Sequence, residues 1–442
     1  MLLQINTPVP KDIPLNLPLP EWLLVTLLIV SFLLHIVFIQ LMLGGSIVAL
    51  WAQIKGLKNK EYDTFAHEVA KTITVNKSLA VVLGIAPLLS INTLYTIYFY
   101  SANALTGFAW ILIIPLVTVA FLLTYLHKYT WKILERNKTI HISILAVAVL
   151  IFLFIPLIFL TNVNLMMFPE KWGTVQGFLS ALMLPNVFPR YFEFLGACIA
   201  VTGIFIVWYN GRKSYPVVNI YETLRPVNLK RIGYRITILG LGLQLFFGII
   251  VLFTLPSKGI SYEVIGVMIA AGSLLAVALW YSYKTIINTD EHINLHFKKI
   301  LFSMLAFLVL YGGSRQMYRH HSLEKHQALV ASNTKEFQRL SKEARENPVT
   351  ESELELDPSM GEFAKGAAIF QANCVGCHKQ NEKLVGPPMT EMVSIYSKNE
   401  QGLRDWVRKP GKKRPDFPQM PGFPQFSDDD LKELSKYILS IK

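Results

Sequence analysis

Up to about residue 315 the chain alternates long apolar runs with short polar connections, and beyond that point the pattern changes twice. Eight apolar runs, at roughly 21–51, 78–100, 105–126, 141–165, 189–210, 235–255, 260–286 and 297–314, each lie near or above the ~20 residues that a helix needs to cross a bilayer. Residues 316–360 lose that hydrophobicity. They are first mixed in charge (Glu336, Arg339, Lys342, Glu343, Arg345, Glu346), with the composition of a helical stalk, and then acidic (Glu351, Glu353, Glu355, Asp357), which reads as a solvated linker. Residues 361–442 return to the mixed pattern of a small soluble domain. Helices are expected over Gly361–Asn373, with Ala364, Ala367, Ala368 and Phe370 on one side, over Leu403–Val407, and over Asp428–Ile441, where Leu431, Leu434, Tyr437 and Ile438 share a face. Ser427 with Asp430 has the spacing of a capping box. The predicted fold is all-α. A tail (1–20) precedes a polytopic membrane bundle of about eight spans (21–315), followed by the charged linker (316–360) and the C-terminal domain (361–442).

Composition sharpens this picture. The chain is 52% hydrophobic and only 16% charged, against about a quarter charged in an ordinary soluble domain. The formal charge of +12 is not a nucleic-acid signal, because much of it sits in short loops between apolar runs. Lys55, Lys58, Lys60, Lys71 and Lys77 follow the first run. Lys128, Lys132, Arg136 and Lys138 follow the third, Arg212, Lys213, Arg225, Lys230 and Arg231 the fifth, and Lys284, Lys298 and Lys299 the seventh. The alternate loops hold only Lys171 and Lys258. The positive-inside rule then places the N-terminus outside, and eight crossings return the chain to the outside. The first apolar run is longer than a signal-peptide core and follows a polar tail, so it is expected to be a retained helix.

Three cysteines are present. Cys198 lies alone in an apolar run and reads as a packing residue. The other two form Cys374-Val375-Gly376-Cys377-His378, the most specific chemical signal in the chain. Two thiols three positions apart can each add to one vinyl group of a haem, and the adjacent His378 then lies under the iron. The alternative is a thiol pair for zinc or redox exchange; the histidine that follows immediately, and the lack of a second cysteine pair for zinc, argue against it. A low-spin iron needs a second axial ligand, and the candidates are Met389, Met392 and Met420. Met420, in Pro418-Gln419-Met420-Pro421-Gly422-Phe423, is the favoured one. Met389, close after the attachment site, is expected to line the pocket.

Residues 361–442 resemble a class I cytochrome c domain. The likeness is carried by Gly366, Phe370 and Cys374 in a G-x-x-x-F-x-x-x-C-x-x-C-H run, the Gly386-Pro387 turn, the Met420-Pro421 pair and the final helix with Tyr437. The resemblance implies a covalent haem c on Cys374 and Cys377. It implies that Gly366 and Phe370 cross the final helix near Tyr437, and that the Pro387 carbonyl orients the His378 ring. Attachment at such a site takes place on the periplasmic face in bacteria, the side to which the charge pattern delivers it.

Residues 21–315 resemble subunit I of the cytochrome bd-type oxidases. The likeness rests on Leu34-His35-Ile36-Val37-Phe38 through Leu43-Gly44, Ala104-Leu105-Thr106-Gly107-Phe108, Tyr234-Arg235-Ile236-Thr237, and Tyr311-Gly312-Gly313-Ser314-Arg315-Gln316. The resemblance implies that His35 ligates a b-type haem. Other family ligands are absent: Thr106, Thr237, Phe194 and Met304 stand where the family has a glutamate, a methionine, a histidine and a glutamate. That argues against ordinary quinol-driven oxygen reduction. From the residues alone, His35 is the only histidine well inside a span, and it has two readings: a haem b ligand, with Met304 opposite, or an imidazole hydrogen-bonded between helices. His127, His141, His292 and His296 fall at inner helix ends and read as interfacial residues, though His292 and His296, four apart, have the spacing of a metal pair. Arg315, Arg319, His320, His321 and His326 lie beyond the last run, where they face lipid headgroups or haem propionates. Gly44-Gly45 and Gly312-Gly313 are expected to allow close helix contact.

The expected function is electron transfer by a haem c held on the periplasmic side of a bacterial cytoplasmic membrane, in a respiratory complex with other membrane subunits, a periplasmic donor or acceptor, membrane lipid and a candidate quinone. Two rival expectations stand beside it: a divergent bd-like terminal oxidoreductase with a haem b near His35, and a purely structural anchor for the haem domain.

Overall fold

The computed structural model describes residues 17–212, 215–346, 358–411 and 419–441. The acidic stretch Glu351–Asp357 and most of the N-terminal tail lie outside the described residues. The chain divides into two compact units, one ending at Lys335 and the other beginning at Glu336. Among the described residues every regular element is helical.

The first unit contains α1 (Glu21–Gly56), α2 (Lys60–Leu94), α3 (Thr96–Thr106), α4 (Phe108–Tyr129), α5 (Lys138–Leu165), α6 (Phe178–Leu182), α7 (Val187–Asn210), α8 (Val217–Ile220), α9 (Pro226–Thr254) and α10 (Tyr262–Ile287). It also contains the start of α11 (Phe297–Glu346), which runs on through the predicted end near 314. Among the described residues seven helices are long and apolar enough to cross a membrane, and an eighth crossing arises only if the bent pair Leu79–Leu94 and Thr96–Thr106 counts as one. The chain is a membrane protein with a bundle of apolar helices.

That bent pair corrects the predicted second span, 78–100. The helix breaks at Tyr95, where the chain turns by 109°. No proline marks the break. Thr93 and Thr96 instead donate to the carbonyls of Leu89 and Asn92 at 3.0 and 2.7 Å, local bonds of a kind that bend helices. The Tyr95 ring is buried at the turn, and its hydroxyl accepts a bond from Gln316 at 2.7 Å. The predicted third span, 105–126, likewise divides at Gly107, whose φ of +54° closes α3 before α4 begins. A side chain there would be strained.

Packing is closest where side chains are smallest. A Cβ on Gly196 of α7 would stand 3.0 Å from the Gly240 carbonyl of α9, and one on Gly233 of α9 would stand 2.9 Å from the Gly203 carbonyl of α7. The two helices therefore touch backbone to backbone along glycines seven residues apart, the contact that membrane helices use in place of hydrophobic exclusion. Gly44 brings α1 closer still to α7, since a Cβ there would overlap the Cys198 carbonyl. Gly312 packs on Leu33, whereas Gly313 has no neighbour within 4 Å. Buried Cys198 thus sits at a helix contact.

The second unit contains α12 (Ala364–Asn373), α13 (Met389–Tyr396), α14 (Glu400–Arg408) and α15 (Asp428–Ser440) around one apolar core that includes Phe370, Cys374, Met389, Leu403, Leu431 and Leu434. α15 starts with the capping box: Ser427 Oγ accepts from the Asp430 N–H at 3.1 Å, and the Asp430 carboxylate accepts from the Ser427 N–H at 3.3 Å.

Candidate functional site

In the second unit, α12 ends at the cysteine pair. The Cys374 N–H donates to the Phe370 carbonyl at 2.8 Å and the His378 N–H to the Cys374 carbonyl at 3.0 Å, so the motif continues from α12 as helical turns. The His378 ring is fixed on two sides. Its Nδ1 lies 2.8 Å from the Pro387 carbonyl, which accepts the ring proton and leaves Nε2 with its lone pair free for a metal. Gly386 lies flat against the ring, where a Cβ would collide with it. The intervening turn is held by the Gly386 N–H donating to Cys377 at 2.9 Å and the Met389 N–H donating to Lys379 at 2.9 Å.

Other features position this site. α12 crosses α15 at Gly366, where a Cβ would overlap the Glu433 carbonyl, and the Phe370 and Tyr437 rings meet there at 5.7 Å. Of the three methionines, Met389 is buried in the core at the start of α13, whereas Met420 and Met392 are half-buried against the same cluster as Cys374. α14 is held to α15 by Arg404, which binds both Glu400 and Ser435. Burial pushes the Cys374 thiol up to about 11, with the neighbouring Cys377 adding to it. A C-x-x-C pair built for thiol exchange needs the opposite shift.

The first unit encloses a cavity of about 400 Å³ lined by α1, α2, α4, α5, α7, α9 and α11. His35 lies on its wall and is held as His378 is held. Its Nδ1 is 2.8 Å from the Ala80 carbonyl, and its ring rests on Gly84, where a Cβ would stand 2.8 Å from Cε1. The hydrogen bond between helices expected of His35 is thus present, made by one ring nitrogen. Met304 is not brought to this cavity. It packs with Tyr311 and the α9 and α10 side chains of a different apolar cluster.

At one end the cavity wall becomes polar, with Arg190, Glu193, Tyr311, Arg315, Gln316 and Arg319. Glu193 is only 5% exposed and accepts a hydrogen bond from the Tyr311 hydroxyl at 2.6 Å. Arg319 donates to Gln316 at 2.7 Å, but its Nε has no partner. Three arginines against one carboxylate leave this wall positive, and an apolar chamber with such a wall suits a ligand that carries carboxylates. Arg190 and Glu193 were not among the sequence-predicted residues. The signal available was two ionisable residues within an apolar run, a marker as strong as a histidine.

Three other histidines, His127, His141 and His326, are hydrogen-bonded within the protein, whereas His296 Nδ1 is buried without a partner. His127 and His141 stack at 4.1 Å, and Gln53 bridges them, donating to His141 Nδ1 at 2.6 Å and accepting from His127 Nε2 at 2.9 Å. His326 pairs with the Tyr98 hydroxyl at 3.0 Å. His292 and His296 do not share a regular helix, since the first ends a 3-10 turn and the second tilts on Tyr281 at 5.0 Å. The metal-pair spacing read from the sequence is thus not realised on one face.

Comparison with known proteins bears on the second unit. Residues 363–442 match the model of the cytochrome c family. The "Cytochrome c oxidase subunit 2" of Bacillus sp. (strain PS3) is 24% identical over 91 residues, which cover 18% of this chain and 26% of that protein. "Cytochrome c6" of Cyanidioschyzon merolae (strain NIES-3377 / 10D) is 28% identical over 83 residues, covering 18% of this chain and 74% of that protein. The chain thus spans about a quarter of the length of the first of these relatives and about three quarters of the second. The C-terminal unit is a cytochrome c domain, so its family implies a covalently bound haem c and electron transfer.

Proposed function

We propose that this chain is the membrane-anchored electron-transfer subunit of a respiratory complex, with one haem c held by thioether bonds to Cys374 and Cys377 and ligated by His378 and Met420. The observation that carries the reading is the Cys374–His378 motif, with the His378 ring seated between the Pro387 carbonyl and Gly386. Haem supplies reversible one-electron chemistry. The chain's own groups set its terms: Pro387 fixes the histidine tautomer, and a Met420 thioether raises the potential relative to a stronger donor. The alternation of Lys and Arg between connections supports placing the domain on the periplasmic face of a bacterial cytoplasmic membrane. There a soluble donor or acceptor reaches it, while the helices meet lipid, quinone and neighbouring subunits. In Met420→Ala the haem should remain attached while its potential falls and the sulfur-to-iron absorption band disappears. An unchanged spectrum would remove Met420 from the ligand set.

A second reading is favoured by the arrangement at His35. Its Nδ1 is committed to Ala80, and Gly84 makes room for the ring. The lining arginines, with the unpartnered Arg319 Nε, suit the carboxylates of a b-type haem. With a haem in the membrane unit as well as the haem c, the chain would hold two one-electron carriers, as a terminal oxidoreductase reducing a small acceptor requires. A pyridine haemochrome spectrum that shows acid-extractable haem beside haem c, with loss of the extractable fraction in His35→Ala, tests this reading. Haem c alone would leave the helices as an anchor.

A further inference from the structure

The polar end of the membrane cavity holds one group whose charge can change. Among the lining residues that carry ionisable or proton-bearing side chains, Arg190, Arg315 and Arg319 already hold their protons, and arginine does not release them. Tyr311 is neutral and donates its proton to Glu193. His35, with Nδ1–H given to Ala80 and Nε2 taken by the iron in the haem b reading, has no site for another proton. The groups around Glu193 are Arg190 on its own helix, Tyr311 and Arg315 on α11, and the uncharged Gln244 and Gly248 on α9. The carboxylate is therefore the only proton acceptor on this wall among the described residues.

An electron added inside an apolar chamber is unfavourable unless a positive charge joins it, because solvent is not there to respond. We propose that Glu193 supplies that compensation: its carboxylate binds one proton for each electron taken up by the haem on His35. This rests on the haem b reading above. The step balances as ferric haem, one electron, one proton and the Glu193 carboxylate giving ferrous haem and the Glu193 carboxylic acid. The electron comes from a one-electron donor of the ferrous haem c class. Glu193 acts on the haem through charge and is a positioning residue in that sense, not a ligand.

The test is a spectroelectrochemical titration of the extractable haem in the detergent-purified holoprotein across a range of pH. Where uptake is complete, a tenfold change in proton activity should shift the equilibrium tenfold, which is about 59 mV per pH unit for one electron. E193Q should keep the haem and lose this slope. It should also lose the protonated-carboxyl stretch from the reduced-minus-oxidised infrared spectrum. Y311F, which removes the hydrogen bond but leaves the carboxylate, should retain both. An equal slope in E193Q and wild type, a flat wild type, or a slope lost in Y311F and kept in E193Q would each overturn the proposal while leaving the haem in place. A holoprotein with no extractable haem would overturn the haem b reading beneath it.

Discussion

Gly366 is where the cytochrome c unit has least room. A Cβ added there would overlap the carbonyl oxygen of Glu433 and lie 2.7 Å from Cβ of Tyr437. The first obstacle is backbone, which cannot rotate aside, so α12 and α15 must separate. Overpacking of this kind costs about 1–3 kcal/mol, and an unyielding neighbour argues for the upper end. Opposing it, alanine gains about 1 kcal/mol over glycine within a helix. The steric cost should prevail by about 2 kcal/mol, roughly a 30-fold loss in the ratio of folded to unfolded domain. With a guanidinium slope of about 3 kcal/mol per molar, the midpoint of Gly366→Ala should fall by ~0.7 M. The assay is equilibrium unfolding of the full-length protein in detergent, followed through haem c absorbance. Gly411→Ala serves as the control, since its Cβ would meet only the Trp406 ring at 3.6 Å. A Gly366→Ala protein as stable as the wild type, or more so, would refute the reasoning, because the overlap would then cost no more than the helix propensity gains.

Ser427→Ala should destabilise α15 by about 1 kcal/mol, measured in the same unfolding assay. The Ser427 bonds first, and then the Lys365 pair at 3.0 Å, hold the Asp430 carboxyl below its ordinary value. The folded state thus favours the ionised form, and that stability is present above a pH of about 4 and lost as pH falls through the lower folded-state value. Ser427→Ala should accordingly flatten the acid limb of the stability–pH curve, and an identical limb would contradict this. On the membrane side, Gly240→Ala forces a Cβ to within 2.7 Å of the Ala200 Cα, whereas Gly242 has nothing within 4 Å. Thermal unfolding in detergent should therefore show a clear loss for Gly240→Ala and little change for Gly242→Ala.

What the sequence disclosed followed the range of the interaction concerned. The haem c motif, its turn and the capping box are built from neighbours in sequence, so their spacing alone was legible. The apolar runs gave the bundle because span length is a local count. The breaks were harder. Gly107 carries a positive φ that only its backbone reveals, and Tyr95 turns the chain without proline or glycine. α13 was legible in principle, because Met389, Met392, Val393 and Tyr396 recur at helical spacing after Pro388. Glu193 and Tyr311 lie 118 residues apart, so no spacing joins them. Met304 was set opposite His35 because it stands where the family resemblance has a glutamate, and it packs against another apolar cluster instead.

The glycines shared by α7 and α9 make the register between these helices discrete. A slip of one residue would set side chains against backbone, and even a full seven-residue slip, about 10.5 Å along the axis, realigns only one of the two glycine contacts. The helix bearing Arg190 and Glu193 cannot creep by small increments. Any rearrangement of the bundle must then be sought in helices without such a lock, and Arg190 and Glu193 stay a fixed reference against which the α11 side of the charged wall, with Arg315 and Arg319, can move.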